Sequence, residues 1–410
     1  MAIDEFKQFN NLAIKQFKQL SQFNQLTNLL QNFLFFAAMK KFYLIVFLGL
    51  ISANSFAQMK LIKKLLSNEK DTLRKASFLP IPSFGYAQET GFQFGVGAIV
   101  GFYADRLDTT NRPSSLTLNL NYSTKKAYNM SSLIDIWGKG NKLHYIGELR
   151  FKRMPFNFYG VGNSTQETNS DKLIQQQIKV LLQAEKQLLP KAYTGVSLGF
   201  ENYEYKDLVA DGIFNQYNNK SGSVAYIGVS QAYDTRNNNN YTTQGFFIRG
   251  TYQYAPNIFS QGNFTGSQIK LDVRNFWRLN NSFAIGVQGL YNTIQGKNTP
   301  VYLLQQMGND EMMRGYYNGR FRDESLLVFQ GELRYRYNSR FGATLFGGTG
   351  TVWGIDDFAI KTFKPNYGAG LRYFFDPEKG ISVRLDYGIG EKRANEKRQS
   401  GFYISIAEAF

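Results

Sequence analysis

From Leu327 to Tyr337 every second residue is apolar or Gly, and from Gln330 the residues between them are polar or charged. Leu327, Phe329, Gly331, Leu333, Tyr335 and Tyr337 fall in one phase, and Gln330, Glu332, Arg334 and Arg336 fall in the other. A two-residue period is that of a β-strand, whose successive side chains point to opposite faces. Here one face is aromatic and aliphatic, and the other carries a Glu and two Arg. A strand standing between lipid and a wet lumen divides in this way. A soluble sandwich would have to turn those three charges into its core.

The pattern recurs. Residues 116–122 set Leu116, Leu118, Leu120 and Tyr122 against Thr117, Asn119 and Asn121. Residues 246–254 set Phe246, Ile248, Tyr252 and Tyr254 against Arg249, Thr251 and Gln253, and residues 268–274 oppose Ile269, Leu271 and Val273 to Lys270, Asp272 and Arg274. Near the end, Val383, Leu385 and Tyr387 oppose Arg384 and Asp386. With weaker runs included, the sequence predicts an all-β protein, a transmembrane antiparallel β-barrel of about sixteen strands over residues 78–410.

Connections alternate in length, as such a barrel requires. Short turns are expected at 138–141, 189–191, 280–281, 338–340 and 376–380, and long loops at 153–171, 206–221, 293–324 and 353–365. The loop 293–324 is the longest and carries Met313-Arg314-Gly315-Tyr316; long loops in compact folds are usually functional. Residues 234–244 break the rule, being long on the side of the short turns. The last ten residues, 401–410, read as a final strand closing on Phe410, a C-terminal aromatic signal, although Glu408 falls in the apolar phase.

Composition changes the picture only in detail. Tyr 26, Phe 36 and Gly 38 are high, Cys is absent, and mean hydropathy is negative. Without Cys there is no disulfide framework, thiolate metal site or lipoprotein anchor. Met39-Lys40-Lys41, an apolar run to Ala53 and the small-x-small Ser55-Phe56-Ala57 read as a signal peptide over 39–57. Residues 1–38, rich in Gln, Asn, Phe and Leu, are then expected to be a mis-assigned extension ahead of a true start at Met39. Residues 58–77 read as a short basic periplasmic linker.

Four stretches, taken in order, resemble the barrel of the BamA/TamA-type bacterial surface antigens, a superfamily of assembly factors and two-partner secretion transporters. Met313-Arg314-Gly315-Tyr316 is similar to the motif on that family's lumen-folded extracellular loop, and Gly331-Glu332-Leu333-Arg334-Tyr335 to the strand after it. Asp234-Thr235-Arg236 with Gly245 resembles the family's long periplasmic turn. Residues 366–372 with Leu385-Asp386-Tyr387-Gly388 resemble its last strands. The resemblance implies that loop 293–324 folds into the lumen, that Arg314 anchors it, that Glu332 is the partner of Arg314, and that Gly315 and Tyr316 form the packed tip. It also implies help with protein or lipid insertion or translocation at the outer membrane. Two departures stand out: the segment before the barrel is too short for the family's periplasmic repeats, and Gly348 occupies the place of a family Asp, leaving Glu332 as the expected acid for Arg314.

Candidate chemistry is sparse. His144 is the single His and no Gly-x-Ser-x-Gly motif accompanies it, so it reads as a lumen residue in a protein that is not an enzyme and needs no cofactor. A purely carboxylate Ca²⁺ site at Asp310-Glu311 or Asp356-Asp357 has only scattered acids behind it. The net charge of +16 is spread over strand faces and loops, unlike a nucleic-acid stripe. Arg334, Arg336, Arg372, Arg384 and Asp386 are expected as lumen charges. Expected partners are outer-membrane lipid and lipopolysaccharide, the assembly machinery during biogenesis, and an unidentified periplasmic or secreted protein. The alternatives are a passive pore for anionic solutes, filtered by lumen arginines, and a structural barrel.

Overall fold

The computed structural model describes residues 73–87, 91–217, 220–259 and 264–410. The extension 1–38, the signal peptide 39–57 and most of the linker 58–77 lie outside the described residues.

Sixteen strands form one antiparallel sheet. The first eleven are β1 (Ser77–Ala87), β2 (Gly91–Phe102), β3 (Ser114–Ser123), β4 (Tyr128–Trp137), β5 (Leu143–Phe158), β6 (Asp171–Leu189), β7 (Ala192–Lys206), β8 (Gly222–Asp234), β9 (Gly245–Ala255), β10 (Gly266–Arg278) and β11 (Phe283–Gly296). A separate two-stranded ribbon, β12 (Gln305–Met307) with β13 (Phe321–Asp323), lies within the next loop. The sheet resumes with β14 (Ser325–Arg336), β15 (Phe341–Trp353), β16 (Lys364–Asp376), β17 (Ile381–Ile389) and β18 (Ser400–Ile406), and β11 pairs directly with β14. The alternation sets the faces: Leu198, Val229, Phe329 and Leu371 are exposed outward, while Gln330, Glu332 and Arg334 are buried inward.

The sheet curls until its ends meet: a Cβ on Gly101 of β2 would lie 2.5 Å from Cδ1 of Ile381, which opens β17. Yet among the described residues no ladder joins β1 to β18. Two local features keep that edge open. Pro80 and Pro82 remove two main-chain donors from β1, and proline within a sheet belongs at edges. At the other side β18 has only seven residues. Ala407 then takes a φ of 65° and turns the chain inward, which corrects the expected final strand through residue 410.

The turns at 138–142, 190–191, 279–282, 337–340 and 377–380 lie at one end and the loops 159–170, 207–221, 297–324 and 354–363 at the other. Residues 103–113, however, like 235–244, form a long connection at the short-turn end, and 124–127 is a short one at the long-loop end. Several strands outrun the sequence reading: β5 continues past Arg153 to Phe158, and β11 past Thr293 to Gly296. There the inward face changes character. Phe156, Phe158, Leu173, Tyr203, Tyr205 and Tyr226 point into the lumen and pack on Val301, Tyr302, Leu303 and Leu304 of the long loop. A rule of polar-inside fails where protein, not water, fills the lumen. At the short-turn end, residues 235–244 lie across the mouth. Asn240 donates to the Lys379 carbonyl at 2.9 Å, Asn239 to that of Pro113 at 3.1 Å, and Arg334 to that of Thr242 at 2.8 Å.

Candidate functional site: the inward loop and its charge network

Loop 297–324 is held inward by an apolar core of its own. Met307, Met313, Tyr316 and Phe321 are buried against Leu326, Val328 and Val352, the inward residues at the loop end of β14 and β15. Its tip is a series of tight turns. Asn309 Oδ1 accepts from the N–H groups of Glu311 and Met312, both at 2.8 Å. Gly308, Met313 and Gly315 take left-handed φ values of 95°, 50° and 112°. Gly315 also needs to be bare, since a Cβ there would sit 2.8 Å from the main chain of Ile389, and one on Gly388 would sit 2.4 Å from that of Arg314. Main chain meets main chain at this point.

Arg314 is the hub. Its Nη2 donates to Glu332 Oε1 at 2.6 Å and its Nη1 to Asp386 Oδ2 at 2.7 Å. The guanidinium lies 3.6 Å over the Phe346 ring, and the Arg314 carbonyl accepts from Asn366 Nδ2 at 3.0 Å. Beside it the Gly315 N–H donates to the Tyr403 hydroxyl at 2.9 Å. The Tyr316 hydroxyl donates to the Pro365 carbonyl at 2.7 Å and accepts from the Glu391 N–H at 2.9 Å. Burial pushes the Tyr316 phenol above its ordinary pKa, so it remains a donor at any physiological pH. Through these contacts one Arg-Gly-Tyr tip touches β14, β15, β16, β17 and β18.

Arg314 meets Glu332, the acid the resemblance implied, and a second carboxylate besides. Asp386 of β17 supplies the second carboxylate, from three strands away. Gly348 could not: a Cβ there would lie 2.6 Å from the Phe329 carbonyl and 2.9 Å from Gln330 Cβ, so a restored Asp would collide rather than strengthen the anchor.

From this hub the charges continue. Glu332 Oε2 accepts from Arg334 Nε at 2.9 Å, and Asp386 also accepts from Arg384 at 2.8 Å and from Arg372 at 2.5 Å. Arg372 reaches Glu408 at 2.8 Å and Arg384 reaches Asp310 at 2.8 Å. Four arginines thus meet four carboxylates, and all but Asp310 are nearly dry. Charges so deeply buried persist only when paired and hydrogen-bonded. Arg372 and Arg384 bind Asp386, Arg334 binds Glu332, and all of these side chains are buried on the inward face.

Two expected positions differ, Arg336 and Phe410. Arg336 caps a turn, donating to the Asn338 carbonyl at 3.1 Å and the Ser339 carbonyl at 2.7 Å while stacking 3.5 Å over Phe374, because it stands at the last step of β14. Phe410 is turned into the lumen beside Phe276, where its carbonyl accepts from Arg334 at 2.7 Å. Glu408 in the apolar phase was the trace of that turn in the sequence; Phe346, Asn366 and Tyr403 left no comparable trace. His144 stacks 3.7 Å from Trp137, with Nδ1 2.9 Å from Glu185 and Nε2 3.1 Å from Asp135. Both its nitrogens are engaged, so neither is a free base.

A family model described as the Omp85 superfamily domain matches residues 109–410. No curated protein matches the chain in sequence. Among solved structures, BamA from Haemophilus ducreyi lacking POTRA domains 1-3 is similar, with a TM-score of 0.52 and 13% identity over 81% of this chain and 70% of that one. CdiB from Acinetobacter baumannii aligns at a TM-score of 0.49 and 13% identity over 81% of this chain and 59% of that one. At such identity the likeness to BamA speaks for the fold, while the family match spans most of the barrel; the chain belongs to the Omp85 superfamily.

Proposed function

We propose that this barrel assists the insertion or translocation of proteins or lipids at the outer membrane, with its long loops outside the cell and its short turns in the periplasm. The observation that carries this reading is the open seam. Pro80 and Pro82 deprive β1 of donors, β18 stops at Ile406, and no ladder joins the two among the described residues. An unpaired strand edge is a template for another strand. Behind the seam lies a cavity of about 530 Å³ bounded by Ile81, Ile404, Ser405 and the inward-turned Glu408 and Phe410. The Arg314 network holds β14 to β18 as one rigid wall beside that edge, so movement at the seam need not unfold the barrel.

The pore reading finds less support, because the arginines that a filter would need are bound to carboxylates or carbonyls.

The test uses the absence of native Cys. Ile81→Cys with Ile404→Cys, joined by a short bifunctional maleimide, locks the seam in protein reconstituted into liposomes. Insertion of an unfolded outer-membrane barrel into those liposomes should be accelerated by the unlocked protein and fall to the empty-liposome rate after locking. Equal acceleration before and after locking would overturn the reading, as would no acceleration by either form.

A further inference from the structure

The outer wall of β10, β11, β14 and β15 carries a groove of about 780 Å³ that the network above does not use. Its floor is Gly289, Gly331 and Gly347, and its sides include Val287, Tyr291 and Phe329. In the ladders Gly331 pairs with both Val287 and Gly347, and Gly289 pairs with Phe329, so the three glycines share one face of three adjacent strands.

None of these glycines is required by the fold. None takes a left-handed φ, and a Cβ would meet its nearest neighbour at 3.4 Å on Gly289, 3.6 Å on Gly331 and 3.5 Å on Gly347, all ordinary contact. Gly315, Gly348 and Gly388 have no such room. Glycine inside a strand costs stability and often marks close approach of another group. The bare floor therefore calls for an occupant.

The residues above the groove indicate what that occupant is. Tyr291 stacks with Trp353 at 6.0 Å, Trp353 meets Phe358 edge-on at 4.9 Å, and Phe329 stacks with Phe363 at 6.5 Å, so an aromatic cluster joins the groove to loop 354–363. That loop leaves Ile355 75% exposed, Phe358 49% and Ile360 80%. Apolar side chains displayed at the end of a lipid-facing wall are buried only by the membrane. The groove is continuous with that wall.

We propose that the groove seats one acyl chain of a bilayer lipid, in the leaflet on the long-loop side, with loop 354–363 resting in the same leaflet. Within a membrane no hydrophobic gain separates this site from bulk lipid, so the preference comes from packing of the chain against bare main chain.

The test reconstitutes the full chain in vesicles of phosphatidylethanolamine and phosphatidylglycerol containing a diazirine-bearing acyl chain. Peptides containing Tyr291 and Phe329 should be labelled roughly threefold more than those containing Leu198 and Val229, which are exposed on the outer face of β7 and β8 away from these glycines. Gly331→Leu with Gly347→Leu should bring the two walls level while the fast gel mobility of the folded barrel is retained. Equal labelling of both walls in the wild type would overturn the proposal without recourse to any variant, as an annular lipid only. Labelling that survives the filled groove would also overturn it, as would a groove found occupied by a protein segment in native membranes. These readouts are independent of the insertion assay.

Discussion

Asp386 is the residue on which the anchor depends most, although the sequence pointed first to Glu332. Three guanidinium groups, of Arg314, Arg372 and Arg384, donate to its two oxygens, whereas Glu332 serves Arg314 and Arg334. Removing a buried carboxylate strands the charges it compensated, at a cost on the order of 3–5 kcal/mol. Asp386→Ala should therefore destabilise the folded barrel more than Glu332→Ala, read as the temperature at which fast gel mobility is lost. Arg314→Lys should recover little of the loss caused by Arg314→Ala. An ammonium cannot span two carboxylates on different strands while lying flat over Phe346. Gly348→Asp should yield little folded protein, because its Cβ would fall 2.6 Å from a carbonyl oxygen.

At the scale of elements, the loop carries a buried acid at odds with its surroundings. Asp323 in β13 is buried, and burial raises its carboxyl to about 6. The folded state then binds the proton more tightly than the unfolded chain does. This contribution is favourable below the unfolded value near 3.8 and is lost as pH rises through about 6. Asp323→Asn should accordingly protect the loop from protease at pH 7.5 by on the order of 2 kcal/mol and make little difference at pH 4. Strand phase was legible in the sequence because lipid on one side and water on the other impose opposite demands at every second residue. It failed at Phe156 and Phe158, and again at Leu326 and Val328, where the inward neighbour is the loop itself. Which acid Arg314 meets was legible only in part. Glu332 follows the loop closely in the chain, but Asp386 is brought to it by closure of three further hairpins, and no local pattern encodes that distance.

For the whole molecule, the two mouths are covered by different parts of the chain. Loop 297–324 fills one end, and residues 235–244 with the inward Ala407 to Phe410 segment lie across the other. In a planar bilayer the intact protein should pass small, erratic currents, and replacing residues 301–322 by a short Gly-Ser link should raise them several-fold. Steady, anion-selective conductance unaffected by that deletion would return the passive-pore alternative to first place. The barrel, its strand count and its inward loop could all be anticipated from periodicity and resemblance. The inward C-terminus could not, because Glu408 interrupts the strand pattern without showing where the chain goes.

The most direct measurement of the central claim, that the loop is pinned to the last strands through Arg314, is a double-mutant cycle between Arg314 and Asp386. Arg314→Ala, Asp386→Asn and the double variant are compared with the wild type by the midpoint of loss of fast gel mobility and by protease nicking of the loop. The contact at 2.7 Å predicts a coupling of at least about 1 kcal/mol, with the double variant costing little more than the worse single. Effects that add to within about 0.5 kcal/mol would show that the two side chains do not meet, and the loop would then lie outside the lumen.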